Sequence, residues 1–301
     1  MIINKVKKSR EKIYLVILRG QSHAHGAALT ARLGNTNFNY KGIYLGYPSV
    51  RTTQGQYSAT PTGCYQYVKK MVSVTSDNWL SDNSSWMSYN AADTRVDSTQ
   101  QFGCELSLLT AIQERTNSNV YLIKCAQSGT SLAQSATPSS LGNHNYTNLK
   151  ICKQFINYAL RDLKILKPNA DIILIADIWS QGENDASNGL TGANYIIELE
   201  KYEKDYQNFL QGELNTNKCC RFYTKLKFNE TPQESSINSS VESWVSTRNK
   251  SFFINLDAYP QRNDLTVLEN APSGVVGSDD QHLSYIAMLS AGELMFETIT
   301  Y

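Results

Sequence analysis

Three apolar runs, each followed by small polar residues, constrain the fold of this chain more than any other feature. They cover residues 13–18, 120–125 and 172–178 and are rich in Ile, Leu and Val. Such runs are typical of strands buried on both faces of a parallel sheet, because a half-exposed strand alternates apolar and polar residues. Amphipathic helical patterns at 105–114 and 149–166 separate the runs. This order of strand, helix and strand predicts an α/β fold.

The remainder of the chain continues the same alternation. It predicts two more helices and two more strands, at 195–210, 283–298, 221–228 and 252–256. The expected architecture is a single α/β domain over residues 1–301 with a doubly wound parallel sheet. Two segments rich in Ser, Thr, Gly, Tyr, Asn and Pro interrupt the pattern. We interpret them as long functional loops over the sheet edge, at about 35–101 and 258–276.

Charge and hydropathy exclude several classes of protein. Lys and Arg number 28 against 27 Asp and Glu, and this balance argues against a dedicated nucleic-acid binder. No apolar run reaches the roughly 18 residues of a membrane span, so no membrane partner is expected. The six cysteines form no CxxC pair, and the first apolar run is too short for a secretory signal. We therefore expect buried free thiols and a cytoplasmic or virion-associated protein, or a secreted one whose leader has been removed.

The residues that follow the predicted strands form a candidate site. Ligands of open parallel sheets bind where loops leave the carboxyl ends of the strands. The three apolar runs lead into residues 20–22, 127–131 and 179–185, which contain Ser, Gln and Gly. A fourth segment, 278–282, has the pattern of a helix start that places His282 in the first turn. The helix dipole keeps such a histidine neutral and able to accept a proton.

These residues together fit acyl transfer by a Ser-His-Asp mechanism without metal or cofactor. Ser22 attacks a carbonyl carbon, His282 takes its proton, and Asp279 orients His282. The developing oxyanion then needs hydrogen-bond donors. The candidates are the backbone N–H groups of Ser22 and Gly129 and the side-chain amide of Gln181, each following a predicted strand.

The segments 20–22, 125–132, 179–186 and 279–282 resemble the blocks of SGNH hydrolases. The similarity is to the carbohydrate esterase branch that includes sialate O-acetylesterases and acetylxylan esterases, with blocks of the form GQSN, A-x-GGTSL, WHQGESDA and DxxH. The resemblance implies a three-layer α/β/α sandwich with a flavodoxin-like sheet. It also implies metal-free hydrolysis of acetyl esters on a carbohydrate such as an acetylated glycan or sialic acid, with the roles given above.

Four positions depart from this family pattern. His23 stands in place of Asn, Gln127 in place of an aromatic residue, Ser128 in place of a Gly, and Ser180 in place of a His. We expect these positions to lie in the walls of the pocket. They therefore concern the identity of the substrate more than the type of reaction.

The acidic residues after the third run, Glu183 and Asp185, allow two interpretations. They could form the acid/base pair of a glycosidase. The preferred interpretation is that they brace the loop, through backbone hydrogen bonds or through an arginine such as Arg19. Gln21 is likewise expected to bind substrate or brace a loop.

Three other functions remain open at this point. His23 and His25 match the H-x-H start of some metal-dependent hydrolases. A catalytically silent module could instead bind glycans through the loops, since the chain has 18 Tyr and 4 Trp. Hydrolysis of lipids or thioesters, which other SGNH branches perform, is the third. The polar, aromatic loops favour a sugar over an acyl chain.

Overall fold

The computed structural model describes residues 10–21, 24, 28–29, 43–46, 86–88, 101–126, 131–133, 145–226, 231–256 and 285–300. We number the elements of this part in chain order. The strands are β1 Lys12–Gly20, β2 Ala28–Leu29, β3 Ile43–Gly46, β4 Trp86–Ser88, β5 Gln101–Phe102, β6 Asn119–Ala126, β7 Asp171–Ser180, β8 Cys220–Thr224 and β9 Ser251–Ile254. The helices are α1 Glu105–Thr116, α2 Asn145–Leu166, α3 Glu183–Ser187, α4 Gly192–Glu213, α5 Pro232–Ser246 and α6 Tyr285–Thr298.

Seven of these strands form one sheet in the order β4-β3-β6-β1-β7-β8-β9. All neighbours in it are parallel except β3 and β4. The five predicted strands are β1, β6, β7, β8 and β9, and their spatial order is 2-1-3-4-5 when they alone are numbered. This is the flavodoxin-like order, so the predicted fold class is confirmed.

The segment 35–101 contributes to the sheet, which the prediction of a loop did not foresee. It supplies β3, which runs parallel to β6, and β4, which pairs with β3 at the edge. Between them these strands contain only seven residues, too few for a clear alternating pattern. Residues 258–276 lie outside the described part, and the single domain over 1–301 stays a prediction.

The centre of the sheet is buried on both faces. Residues 13–19 of β1 are all buried, and because successive side chains of a strand point to opposite faces, both faces must be covered. The described helices cover them in two groups. In one group α1 packs against α6, and in the other α4 packs against both α2 and α5.

One strand ends earlier than the sequence predicts, and one helix was not predicted. The strand predicted over 221–228 stops at Thr224, because the backbone of Leu226 turns to the side chain of Asn238 in α5, with 2.7 Å from its N–H to Oδ1. Helix α5 itself was not predicted. Its sequence signal is a Thr231 cap followed by Pro232 and Glu234, and Thr231 Oγ1 accepts the Glu234 N–H at 3.1 Å.

The described cysteines agree with the expectation of free thiols. Each of the five is buried and unbridged: Cys104, Cys125, Cys152, Cys219 and Cys220. Cys64 lies outside the described residues. None of the helices in the described part is both long and apolar enough to cross a membrane.

Candidate active site

The carboxyl ends of the three central strands lie side by side. In the register of the sheet, Gly20 of β1 is aligned with Ala126 of β6 on one side and with Ser180 of β7 on the other. Neighbouring strands are about 4.8 Å apart, so the chain leaves all three strands at one edge. The expectation that these strands end together is therefore confirmed.

A glycine is required at the end of β1. Gly20 has a φ of +140°, and a Cβ added there would lie 1.9 Å from the carbonyl oxygen of Ser180. This close approach lets the Gln21 N–H donate to the same oxygen at 2.9 Å. The Gln21 side chain is buried, and its Oε1 has no hydrogen-bond partner within the described residues. The segment that leads into Ser22 is thus attached to the end of β7.

Gln181 is the first residue after β7 and is held in a buried position. The chain turns at Gly182, whose φ is +140°, and enters the short helix α3. From there the carboxylate of Asp185 reaches back and accepts a hydrogen bond from Gln181 Nε2 at 2.5 Å. On the other side, the Tyr195 hydroxyl lies 2.7 Å from the carbonyl oxygen of Gln181 and 2.9 Å from its Oε1.

Asp185 joins the loop after β7 to the loop after β6. Its carboxylate accepts the backbone N–H of Leu132 and of Ala133, both at 2.8 Å, in addition to the Gln181 amide. Burial raises the pKa of Asp185 to about 6, although these three donors act in the opposite direction. Asp185 therefore braces the loop through backbone hydrogen bonds, as the preferred interpretation expected.

Arg19 is not the partner of the acidic residues of α3, and that suggestion was wrong. Its Nε and Nη2 donate to the two carboxylate oxygens of Asp177, each at 2.8 Å, and Nη2 also reaches Glu203 at 3.0 Å. The side chain points into the face of the sheet covered by α4, where its Cζ lies 3.7 Å from the centre of the Tyr206 ring. The acidic residues of α3 lie beyond the end of the sheet instead.

This buried arginine is a cation with two carboxylate partners. Burial by itself would lower the pKa of Arg19, but Asp177 and Glu203 raise it well above its ordinary value. Because these residues belong to β1, β7 and α4, the ion pairs connect three elements just below the candidate site.

Ser180 was predicted to lie in the pocket wall, and that stays a prediction, since the segments expected to face it lie outside the described residues. Ser180 is buried at the end of β7, where its Oγ accepts a hydrogen bond from Thr224 Oγ1 of β8 at 2.7 Å. A residue here therefore faces the neighbouring strand. Glu183, at the start of α3, is also completely buried.

Several predicted site residues lie outside the described part of the chain: Ser22, His23, His25, Gln127, Ser128, Gly129, Asp279 and His282. Their roles stay predictions. Of the residues predicted for the site, the structure brings Gln21 and Gln181 to the same edge of the sheet. Within the part of the chain that it describes, no three His, Cys, Asp or Glu side chains cluster as metal ligands would.

Two contacts of the site were not predicted. The Tyr195 hydroxyl contacts Gln181. The indole Nε1 of Trp179 donates to the same hydroxyl at 3.1 Å. In the sequence, Tyr195 is only the first residue of an amphipathic helix. No local pattern indicates that its hydroxyl reaches back to the end of β7.

The fold defines an α/β protein with a doubly wound sheet, and the candidate site lies at the carboxyl end of its strands. The family model of carbohydrate esterases described as sialic acid-specific acetylesterases matches residues 12–264, and the chain belongs to this family. The resemblance stated from the sequence is thereby confirmed.

Solved structures share the fold at low sequence identity. A protein from Arabidopsis thaliana is 13% identical, with a TM-score of 0.54 over 96% of this chain and 97% of that one. NanS is also 13% identical, with a TM-score of 0.53 over 97% of this chain and 98% of its own. No curated protein sequence matches the chain.

Proposed function

We propose that this protein is a serine esterase that removes O-acetyl groups from a carbohydrate, either an acetylated sialic acid or another acetylated glycan. Membership of a carbohydrate esterase family supports this substrate class. The observation that carries the proposal is the common end of β1, β6 and β7, which brings Gln21 beside Ser180 and Gln181. The proposed nucleophile, Ser22, directly follows Gln21 in the chain.

In the proposed mechanism, Ser22 Oγ attacks the acetyl carbonyl carbon while His282 takes the hydroxyl proton. Asp279 accepts a hydrogen bond from the other ring nitrogen of His282 and so stabilises the imidazolium. The tetrahedral intermediate collapses, and His282 gives the proton to the departing sugar oxygen. Water activated by His282 then releases acetate from the acetyl-serine.

Gln181 is the oxyanion donor that the described geometry supports. The bond from its Nε2 to Asp185 fixes the amide at the end of β7. In the proposed mechanism this amide, together with the backbone N–H groups of Ser22 and Gly129, would stabilise the negative charge of the intermediate. The residues Gln21, His23, Gln127 and Ser128 would contact the sugar, and Glu183 would brace the loop.

The first experiment compares p-nitrophenyl acetate with a longer-chain ester. Wild type and Ser22→Ala are measured in EDTA, with Ser239→Ala as a control because Ser239 is an exposed serine of α5. We expect chelator-resistant release of acetate that is lost in Ser22→Ala and kept in Ser239→Ala. Release that survives Ser22→Ala, or that EDTA abolishes, would contradict a serine esterase.

The pH dependence of the rate tests the proposed base. Activity should rise with pH as His282 loses its proton near pH ~6 to 7, because only the neutral imidazole can accept the serine proton. A rate that is flat between about pH 5 and about pH 9 would exclude a histidine base.

The substrate class is tested by acetate release from natural esters. O-acetylated sialic acid and acetylated xylan are offered separately, with Ser22→Ala as the blank. Saturable release from at least one of them supports a carbohydrate esterase. If only simple aryl esters or lipid esters are cleaved, the carbohydrate assignment is wrong.

A further inference from the structure

The carboxamide of Gln181 is held at both of its ends by buried groups of known polarity. We propose that Tyr195, supported by Trp179, is a positioning residue that fixes the orientation of Gln181 as an oxyanion donor. This inference rests on the proposed function, because it specifies how one of its donors is oriented. The hydrogen bonds concerned run from Trp179 in β7 to Tyr195 in α4 and from there to Gln181.

The indole of Trp179 sets the direction in which these hydrogen bonds run. An indole N–H can donate but cannot accept, so the Tyr195 oxygen must accept from Trp179 Nε1, 3.1 Å away. A tyrosine hydroxyl has a single hydrogen. In this structure that hydrogen lies between two acceptors, the backbone oxygen and Oε1 of Gln181, at 2.7 and 2.9 Å. Tyr195 is therefore a donor that Gln181 shares between its backbone and its side chain.

Both neighbours of the carboxamide select the same orientation. The oxygen and nitrogen of a glutamine amide have nearly the same shape, so their hydrogen-bond partners decide which is which. The carboxylate of Asp185, which is ionised above about pH 6, requires Nε2 at its end. At the other end the hydrogen that the Tyr195 hydroxyl shares between the backbone oxygen and the side chain favours Oε1. A rotation of the amide by 180° would set Oε1 against the carboxylate.

The donor role of Tyr195 persists across the pH range in which an esterase works. The side chain is completely buried, and burial raises the pKa of Tyr195 well above its ordinary value. The hydroxyl thus keeps its hydrogen.

If the amide of Gln181 rotated, Oε1 would face the developing oxyanion and repel it. The bond to Tyr195 therefore acts on catalysis through Gln181.

The test removes one oxygen atom. Tyr195→Phe should lower kcat by about tenfold while KM changes by less than about twofold, because the amide is released but not deleted. Tyr206→Phe is the matched control. Tyr206 is also completely buried in α4, but its hydroxyl contacts Asp177 at 3.3 Å instead of Gln181. The kcat of Tyr206→Phe should stay within about twofold of wild type.

A double-mutant cycle separates positioning from a general structural effect. In a Gln181→Ala background there is no amide to orient, so Tyr195→Phe should change kcat by less than about twofold. The same tenfold loss in both backgrounds would overturn the proposal, as would an unchanged kcat in Tyr195→Phe alone. Failure of the proposed function would show differently, as activity in the parent enzyme that does not depend on Ser22.

A second variant covers the case in which Tyr195→Phe does not fold. Trp179→Phe removes the indole donor and frees the Tyr195 hydrogen to turn away from Gln181. We expect kcat to fall by about threefold in wild type and to be unchanged in the Gln181→Ala background. An equal loss of kcat in both backgrounds would contradict the relay.

Discussion

Two buried aspartates, Asp177 and Asp185, are both about 1% exposed but are stabilised in different ways. Asp177 lies within β7 and forms two 2.8 Å bonds with the guanidinium of Arg19. Asp185 lies in α3 and accepts hydrogen bonds from the N–H groups of Leu132, Ala133 and Gln181. The first carboxylate therefore has a cation as its partner, whereas the second is held by dipoles.

This difference separates the scaffold from the site. The ion pairs of Arg19 connect β1, β7 and α4 within the protein interior, where breaking one leaves an uncompensated charge. The Asp185 bonds connect two loops at the edge of the sheet and orient Gln181. Changes around Asp177 should therefore act on folding, and changes around Gln181 should act on turnover.

The largest effect is expected at Arg19. Arg19→Met leaves the carboxylates of Asp177 and Glu203 buried without their cation. The free energy of unfolding should fall by about 3–5 kcal/mol, measured by urea denaturation. A loss below about 1 kcal/mol would show that the pair is not part of the stabilising scaffold.

Gln181→Ala should lower the rate of turnover much more than the stability of the fold. Removing an oxyanion donor is expected to lower kcat by roughly 10²- to 10³-fold. The free energy of unfolding should fall by only about 1–2 kcal/mol, because Asp185 and Tyr195 each keep other hydrogen-bond partners when the amide is removed. If kcat changes by less than about threefold, Gln181 is not in the oxyanion hole.

The raised pKa of Asp185 predicts a specific dependence of stability on pH. The pKa is about 6 in the folded protein, against about 3.9 in an unfolded chain, so the folded state binds the proton more tightly. The contribution of Asp185 to stability is then greatest below about pH 4 and is lost as the pH rises to about 6, by about 3 kcal/mol.

Denaturation of wild type and Asp185→Asn between pH 4 and pH 7 measures this contribution. The free energy of unfolding of wild type minus that of the variant should decrease from about pH 4 to about pH 6 and then stay constant. Other titrating groups cancel in the difference. A difference that is independent of pH would mean that Asp185 titrates normally.

The smallest effect is expected at a surface ion pair, which serves as a reference for Arg19. Arg248 reaches Glu200 at 2.9 Å, and its Cζ lies 3.7 Å from the centre of the Trp244 ring. Both charged side chains are substantially exposed. Arg248→Ala should therefore lower the free energy of unfolding by less than about 1 kcal/mol. A loss as large as that of Arg19→Met would remove the contrast between buried and exposed pairs.

The sequence predicts the central strands well because burial on both faces leaves a strong and local pattern. Residues 13–18 and 172–178 are continuous in composition and lie within β1 and β7 as expected. The common end of these strands follows from their parallel order. This part of the site could therefore be predicted without a structure.

The partners of buried polar groups could not be predicted in the same way. The interpretation of Arg19 was wrong because its partner Glu203 is 184 residues away in the chain, on a helix whose position over the sheet has no local signal. The same is true of the Tyr195 hydroxyl. Short elements such as β3 and β4 are also missed, because a few residues do not establish a period.

The central claim is that Ser22 is the nucleophile at this edge, and covalent labelling tests it most directly. The protein is treated with a fluorophosphonate, which reacts with activated serines, and the modified peptide is identified by mass spectrometry. We predict a single label on Ser22, and its loss when His282 is replaced by Ala. A label on another serine, or no label on a protein that still releases acetate, would contradict the account.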